Sequence, residues 1–155
     1  MTVLEVKGVS KSFDGEEIIR DITLNLKEGE IVSLLGVSGG GKTTLFNMIS
    51  GLSMPDEGSI CLEGKDITGQ PGNISYMLQK DLLLPYRTII DNVALPLCIR
   101  GMKKKEARER AEAHFAEFGL EGTQKKYPMQ LSGGMKQRAA LLRTYLFSEK
   151  VALLD

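Results

Sequence analysis

The order of apolar and polar residues divides the chain into a β-rich opening, a helical middle and a short apolar end. Apolar positions alternate imperfectly over 3–13, and Asp14-Gly15 breaks the pattern with a turn signal. Alternation returns over 18–26, where Ile22, Leu24 and Leu26 share one face and Asp21, Thr23 and Asn25 the other. These segments predict an antiparallel β layer. Lys27-Glu28-Gly29-Glu30 turns the chain into Ile31-Val32-Ser33-Leu34-Leu35, an apolar run that reads as a buried strand. Residues 44–50 then read as a helix stopped by Gly51. Short strands are predicted at 59–62 and 74–78, with turns at Pro55-Asp56-Glu57-Gly58 and Glu63-Gly64-Lys65.

Beyond residue 79 the period becomes helical. Thr88 and Asp91 read as a capping pair for a helix through Val93 and Leu97, which Pro96 should kink or end and Gly101 should close. The spacing predicts a second helix over 103–118, with Ala107, Ala111, Phe115 and Phe118 on one face. Glu106 with Arg110, and Arg108 with Glu112, would pair on its exposed side, and Gly119 would stop it. Lys103-Lys104-Lys105 reads as a solvated helix start, and His114 as a structural residue. A third helix is predicted over 135–147 with Ser132 as its N-cap. Val151-Ala152-Leu153-Leu154-Asp155 is an apolar strand ending in a carboxylate.

Composition narrows the function classes. The 155 residues are 42% hydrophobic, enough for one globular domain. Net charge is zero and the pI is about 6.6, so bulk electrostatics argue for neither nucleic acid nor an anionic membrane. Cys61 and Cys98 fit no metal-ligand spacing and read as small buried hydrophobes in a reducing cytosol. The first residues lack the apolar core of a secretory signal, and no run is long enough to span a bilayer. A role at a membrane would therefore run through a partner.

The chemistry is concentrated in Gly36-Val37-Ser38-Gly39-Gly40-Gly41-Lys42-Thr43, which fits G-x-x-x-x-G-K-[ST]. Strand, glycine loop and helix, the last opening near Thr44, turn several backbone N–H groups toward one point at the positive end of a helix dipole. A polyphosphate is the natural occupant; Lys42 supplies a cation for its outer phosphates and the Thr43 hydroxyl is placed to hold Mg²⁺. Gln79 follows a predicted strand, where ligands of open α/β sheets collect, and reads equally as a polar loop residue. Ser132-Gly133-Gly134 is either a second anion site or a capped helix with a flexible entry. Asp155, at the end of an apolar strand, suggests the Asp that helps hold Mg²⁺ in phosphate-loop proteins.

The glycine loop, Gln79, Leu131-Ser132-Gly133-Gly134-Met135-Lys136-Gln137-Arg138 and the apolar strand ending in Asp155 occur in the order and spacing of one family. The sequence resembles the ATP-binding subunit of ABC transporters over its whole length. The resemblance implies an α/β P-loop NTPase fold with an N-terminal antiparallel β layer and an inserted α-helical subdomain, incomplete at the C-terminus. Residues 1–155 would form one ATP-binding domain: β layer and core over 1–78, helical insertion over 79–147, and a return strand over 148–155.

The same resemblance implies roles. Phe13 would stack on adenine, and the loop from Gly36 to Thr44 would hold ATP. Gln79 would contact Mg²⁺ and the attacking water, with Thr43 and Asp155 completing the metal site. Ser132, Gly133 and Gly134 would reach the γ-phosphate on a second ATP-binding subunit, in a head-to-tail dimer. The segment 81–87, from Asp81 through the apolar Leu82-Leu83-Leu84 to Arg87, would meet the transmembrane permease subunits, with a solute-binding protein engaged indirectly and no nucleic acid. The place would be the cytoplasmic face of the membrane, peripherally. The wording from Leu84 to Leu97 is similar to the importer branch for nitrate, sulfonate, taurine and related small solutes, including vitamin precursors.

Two departures stand out. Met135 takes a position that is often Gln in the signature, and the family's catalytic Glu, D-loop and switch His fall beyond Asp155. The chain therefore reads as C-terminally truncated, with ATP binding at best and hydrolysis far below that of a complete subunit. A P-loop kinase or GTPase would need an acceptor lid or N-K-x-D, neither of which is present. A soluble ABC ATPase acting on DNA or ribosomes, and a non-catalytic module binding nucleotide or permease, remain as alternatives.

Overall fold

The computed structural model describes residues 1–148 and 150–155. Glu149, inside the expected return segment 148–155, lies outside the described residues. The chain divides into two compact units, Met1–Tyr76 with Asp155, and Met77–Leu154.

The first unit is built on an antiparallel sheet of four strands in the order β2-β1-β3-β4. These are β1 (Thr2–Phe13), β2 (Glu16–Lys27), β3 (Glu57–Leu62) and β4 (Lys65–Asp66). Asp14 and Gly15 both take positive φ, as the tight turn between the first two strands requires. On the central strand Val6 faces Leu24 on one side and Ile60 on the other, and is fully buried. The register shifts between Val6 and Val9, where Gly8 adopts positive φ and its N–H donates to Thr23 Oγ1. Gly58 packs backbone against backbone there, because a Cβ would run into the Lys7 and Gly8 carbonyls. The helix α1 (Lys42–Ile49) buries Leu45, Met48 and Ile49.

In the second unit, Leu83 joins apolar side chains of α2 (Ile89–Ile99), α3 (Lys104–Glu112) and α4 (Gly133–Phe147) in one core. Ala107, Ala111 and Ala139 let the helix backbones approach closely around Phe115, Leu120 and Leu142. Two short strands complete the elements in chain order, β5 (Ser75–Met77) and β6 (Ala152–Leu154).

Several expectations give way. Residues 31–35 form no strand, and Ile31 and Leu35 are 93% and 95% exposed. A central strand needs neighbours to pair its backbone and cover its side chains, and among the described residues none pairs with this run. Gly58 belongs to β3 rather than to a turn. The second predicted helix ends at Glu112 instead of Phe118. Tighter bonds from His114 N–H to the Ala111 carbonyl and Phe115 N–H to the Glu112 carbonyl bring Phe115 into the core. Pro96 does not end α2; the helix runs to Ile99 and closes at Gly101 with Met102 N–H on the Leu97 carbonyl. Thr88 sits at the N-cap, but its buried hydroxyl makes no capping bond, and Arg108 pairs with Asp91 rather than Glu112. Both cysteines are half-buried and free.

Candidate functional site

The glycine loop owes its shape to two residues in the left-handed region, Gly39 at φ 80° and Gly41 at φ 84°. Gly40 N–H donates to the Val37 carbonyl at 3.0 Å and closes a tight turn. Gly41 is the N-cap of α1, and a Cβ there would press on Ile18 and Ile19 of β2 at 3.0–3.1 Å. The loop is thus seated on the hairpin and delivers its chain directly into the helix. The first-turn N–H groups of α1, from Lys42, Thr43 and Thr44, have no acceptor one turn back and form the donor set that a phosphate needs. Lys42 Nζ donates to the carbonyls of Gly36 at 2.9 Å and Val37 at 2.8 Å, so its ammonium lies over the loop. Ser38 is exposed at the tip.

The chain's last residue meets this helix. Thr43 Oγ1 donates to Asp155 Oδ2 at 3.2 Å. The Tyr76 hydroxyl donates to the same oxygen at 3.2 Å, and its ring stands edge-on to Phe46 of α1 at 5.9 Å. Burial, and then the Asp155 charge, push the Tyr76 phenol up to about 12, so it stays a neutral donor across the physiological range. Among the described residues, Oδ1 of Asp155 receives no hydrogen bond. A carboxylate and a hydroxyl beside a phosphate-binding loop form a hard-oxygen donor set suited to Mg²⁺. No cluster of three or more His, Cys, Asp or Glu exists among the described residues.

Phe13 closes β1 and is 48% exposed. Lys11 Nζ lies 5.4 Å from its ring centroid and is anchored at 2.7 Å by Asp56, which also accepts from Ser12 N–H. These bonds, the Lys11 one foremost, hold the Asp56 carboxyl below its usual range.

The other expected residues belong to the second unit. Gln79 is exposed in a bend after β5. Ser132 caps α4 by accepting Met135 N–H at 3.3 Å, and Gly133 and Gly134 follow as an exposed first turn. A Cβ on Gly133 would meet nothing within 4 Å, and one on Gly134 only Arg138 at 3.7 Å, so a ligand has access to this backbone. The segment 81–87 exposes Leu82 and Tyr86, the latter by 73%, while Leu83 anchors it in the core. Asn92, fully buried, accepts Leu84 N–H at 2.7 Å and donates to the carbonyls of Leu84, Arg87 and Thr88 at 3.1 Å. Arg143 of α4 donates to the carbonyls of Asp81 and Leu82. Tyr76, Asn92 and Arg143 escape a motif search. Only Asn92, a lone amide in the apolar face of α2, leaves a trace in the sequence pattern.

Comparison with known proteins finds matches over most of the chain. Residues 19–155 match the family model described as ABC transporter. The formylaminopyrimidine import ATP-binding protein ThiZ of Halalkalibacterium halodurans is 49% identical over 138 residues, 89% of this chain and 53% of that protein. The Fe(3+) ions import ATP-binding protein FbpC 1 of Rhizobium meliloti is 42% identical over 152 residues, 96% of this chain and 43% of that protein. The chain thus spans about half the length of these relatives. Among solved structures, the dimeric post-hydrolysis state of the ATP-binding cassette MJ0796 bound to ADP and Pi aligns with a TM-score of 0.83 and 33% identity, covering 98% of this chain and 73% of that one.

Proposed function

The chain belongs to the ABC transporter family, and on that premise we propose that it binds Mg·ATP and serves as an ATP-hydrolysing subunit that powers an importer of a small solute. The observation that carries this reading is the 3.2 Å bond between Thr43 of the glycine loop and Asp155. It joins a phosphate-binding element to a strand-end carboxylate, the pairing that a nucleotide-bound metal requires.

In this reading the loop amides and Lys42 draw charge from the outer phosphates, Lys42 exchanging its carbonyl partners for phosphate oxygens. Thr43, Gln79 and Asp155 hold Mg²⁺, which would act as a Lewis acid on the phosphoryl oxygens. Phe13 offers the adenine a stacking face. Ser132, Gly133 and Gly134 serve the nucleotide of a second subunit, so that two chains close head-to-tail around two ATP molecules. The relation to the dimeric MJ0796 cassette supports that assembly.

The segment 81–87 is the proposed seat for a permease; its exposed Leu82 and Tyr86 on a pinned backbone suit a protein partner. No described helix is long and apolar enough to cross a membrane, so attachment would be peripheral, on the cytoplasmic face. A solute-binding protein would act through the permease. The solute is proposed to be nitrate-, sulfonate- or taurine-like or a vitamin precursor. The 49% identity to a formylaminopyrimidine importer subunit supports the last of these more than the first three. The proposed domain division is 1–78, 79–147 and 148–155.

Lys42→Ala tests the site. Calorimetric titration should show Mg·ATP binding by the wild-type chain and none by the variant. Equal affinity in both would refute the phosphate-loop assignment.

A further inference from the structure

We propose that Tyr76 is a positioning residue for the metal site, holding the Asp155 carboxylate so that its Oδ1 faces the nucleotide-bound cation. The inference rests on the reading of Asp155 and Thr43 as Mg²⁺ ligands and adds to it a residue that no phosphate-loop motif contains. Asp155 is exposed and lies just past the three-residue strand β6. A carboxylate so placed samples several rotamers unless something fixes it. Two hydroxyls fix it here, from Thr43 and Tyr76, both at 3.2 Å and both on Oδ2.

The two donors differ in what else they do. Thr43 must also turn a lone pair to the metal, which leaves its single proton to hold Asp155. Tyr76 has no second duty. Its ring is half-buried on β5 and braced edge-on by Phe46, so its hydroxyl is delivered by a rigid arm rather than a free rotor. Both bonds converge on Oδ2 and orient the carboxylate with Oδ1 clear of protein donors. A half-buried phenol that merely sought a partner would give the same contact, and the experiment separates that case.

Tyr76→Phe keeps the ring and its packing on Phe46 while deleting the hydroxyl. ATP binding to wild type and variant is measured by calorimetry across a Mg²⁺ series and in EDTA. The Mg²⁺ concentration giving half of the metal-linked gain should rise about tenfold in the variant, the scale of one hydrogen bond to a charged group. Affinity in EDTA should stay within about twofold of wild type. Mn²⁺ titration followed by electron paramagnetic resonance should report the same weakening directly on the metal. An unchanged Mg²⁺ dependence would overturn the proposal and leave the site reading intact, as would an equal loss in EDTA, which marks a structural role. A wild-type chain with no Mg²⁺-linked gain would overturn both.

Discussion

Arg143 Nη2 donates to the carbonyl of Asp81 at 2.6 Å, and Nη1 of the same guanidinium to the carbonyl of Leu82 at 3.0 Å. The fork reaches from α4, the helix that Ser132 caps, to the start of the segment proposed to meet a permease. Burial lowers the tendency of Arg143 to hold its proton, but an Arg stays charged at every working pH. Replacing it by Met should destabilise the chain by about 1.5–3 kcal/mol and speed amide exchange over residues 82–87. Lys should rescue only in part, since an ammonium cannot span both carbonyls in one plane. Unchanged exchange in the Met variant would show that the segment holds its shape without Arg143.

Asn92 pins the other end of that segment with bonds to Leu84, Arg87 and Thr88. Asn92→Ala leaves the Leu84 N–H and the Arg87 carbonyl without their side-chain partner, while the Leu84 and Thr88 carbonyls keep the backbone N–H groups of Arg87 and Asn92. The expected loss is about 2–4 kcal/mol in urea unfolding. A loss below about 1 kcal/mol would mean that water replaces the amide without strain.

At Gly41 a methyl group meets two obstacles at once, a left-handed backbone and the side chains of Ile18 and Ile19. Gly41→Ala should lower stability by about 1–2 kcal/mol from the backbone alone. It should also weaken ATP binding more than Gly15→Ala, whose Cβ would meet nothing within 4 Å. Equal affinities in the two variants would detach the loop's conformation from its ligand.

Asp91 accepts both arms of the Arg108 fork at 2.8 Å, and that pairing, foremost its hydrogen bonds, holds the Asp91 carboxyl below its ordinary value of 3.8. A carboxyl depressed on folding stabilises the protein above its unfolded value and stops doing so as pH falls through the folded one. The contribution should therefore be constant near neutrality and disappear below about pH 4. Because Arg108 is partly exposed, the pair is expected to be worth about 0.5–1 kcal/mol. Thermal melts of Asp91→Asn should show a flatter acid limb than wild type; parallel limbs would refute the assignment.

What the sequence made legible follows from range. The β1–β2 hairpin, the glycine loop and the Ser132 cap depend on neighbours a few residues apart, and the structure has all three. Tyr76 and Asp155 lie 79 residues apart and Arg143 and Asp81 62 apart, so no local pattern announces those bonds. Thr88 carries the right residue type for a cap, yet its hydroxyl makes no capping bond, while its carbonyl accepts both the backbone N–H and the side-chain amide of Asn92. Phe115 keeps its helical period on paper, but its burial against Leu120 and the α4 side chains outweighs another turn of helix. The run over 31–35 has the composition of a core strand, and among the described residues it has no partner strand to make it one.

That bare run also bears on handling. Ile31-Val32-Ser33-Leu34-Leu35 carries no charge and no proline, and its peptide groups, beside branched side chains, pair with no strand among the described residues. Such a ribbon is a nucleus for cross-β stacking between molecules. Light scattering of concentrated samples should grow with time, and a lysine placed at Ser33 should slow that growth.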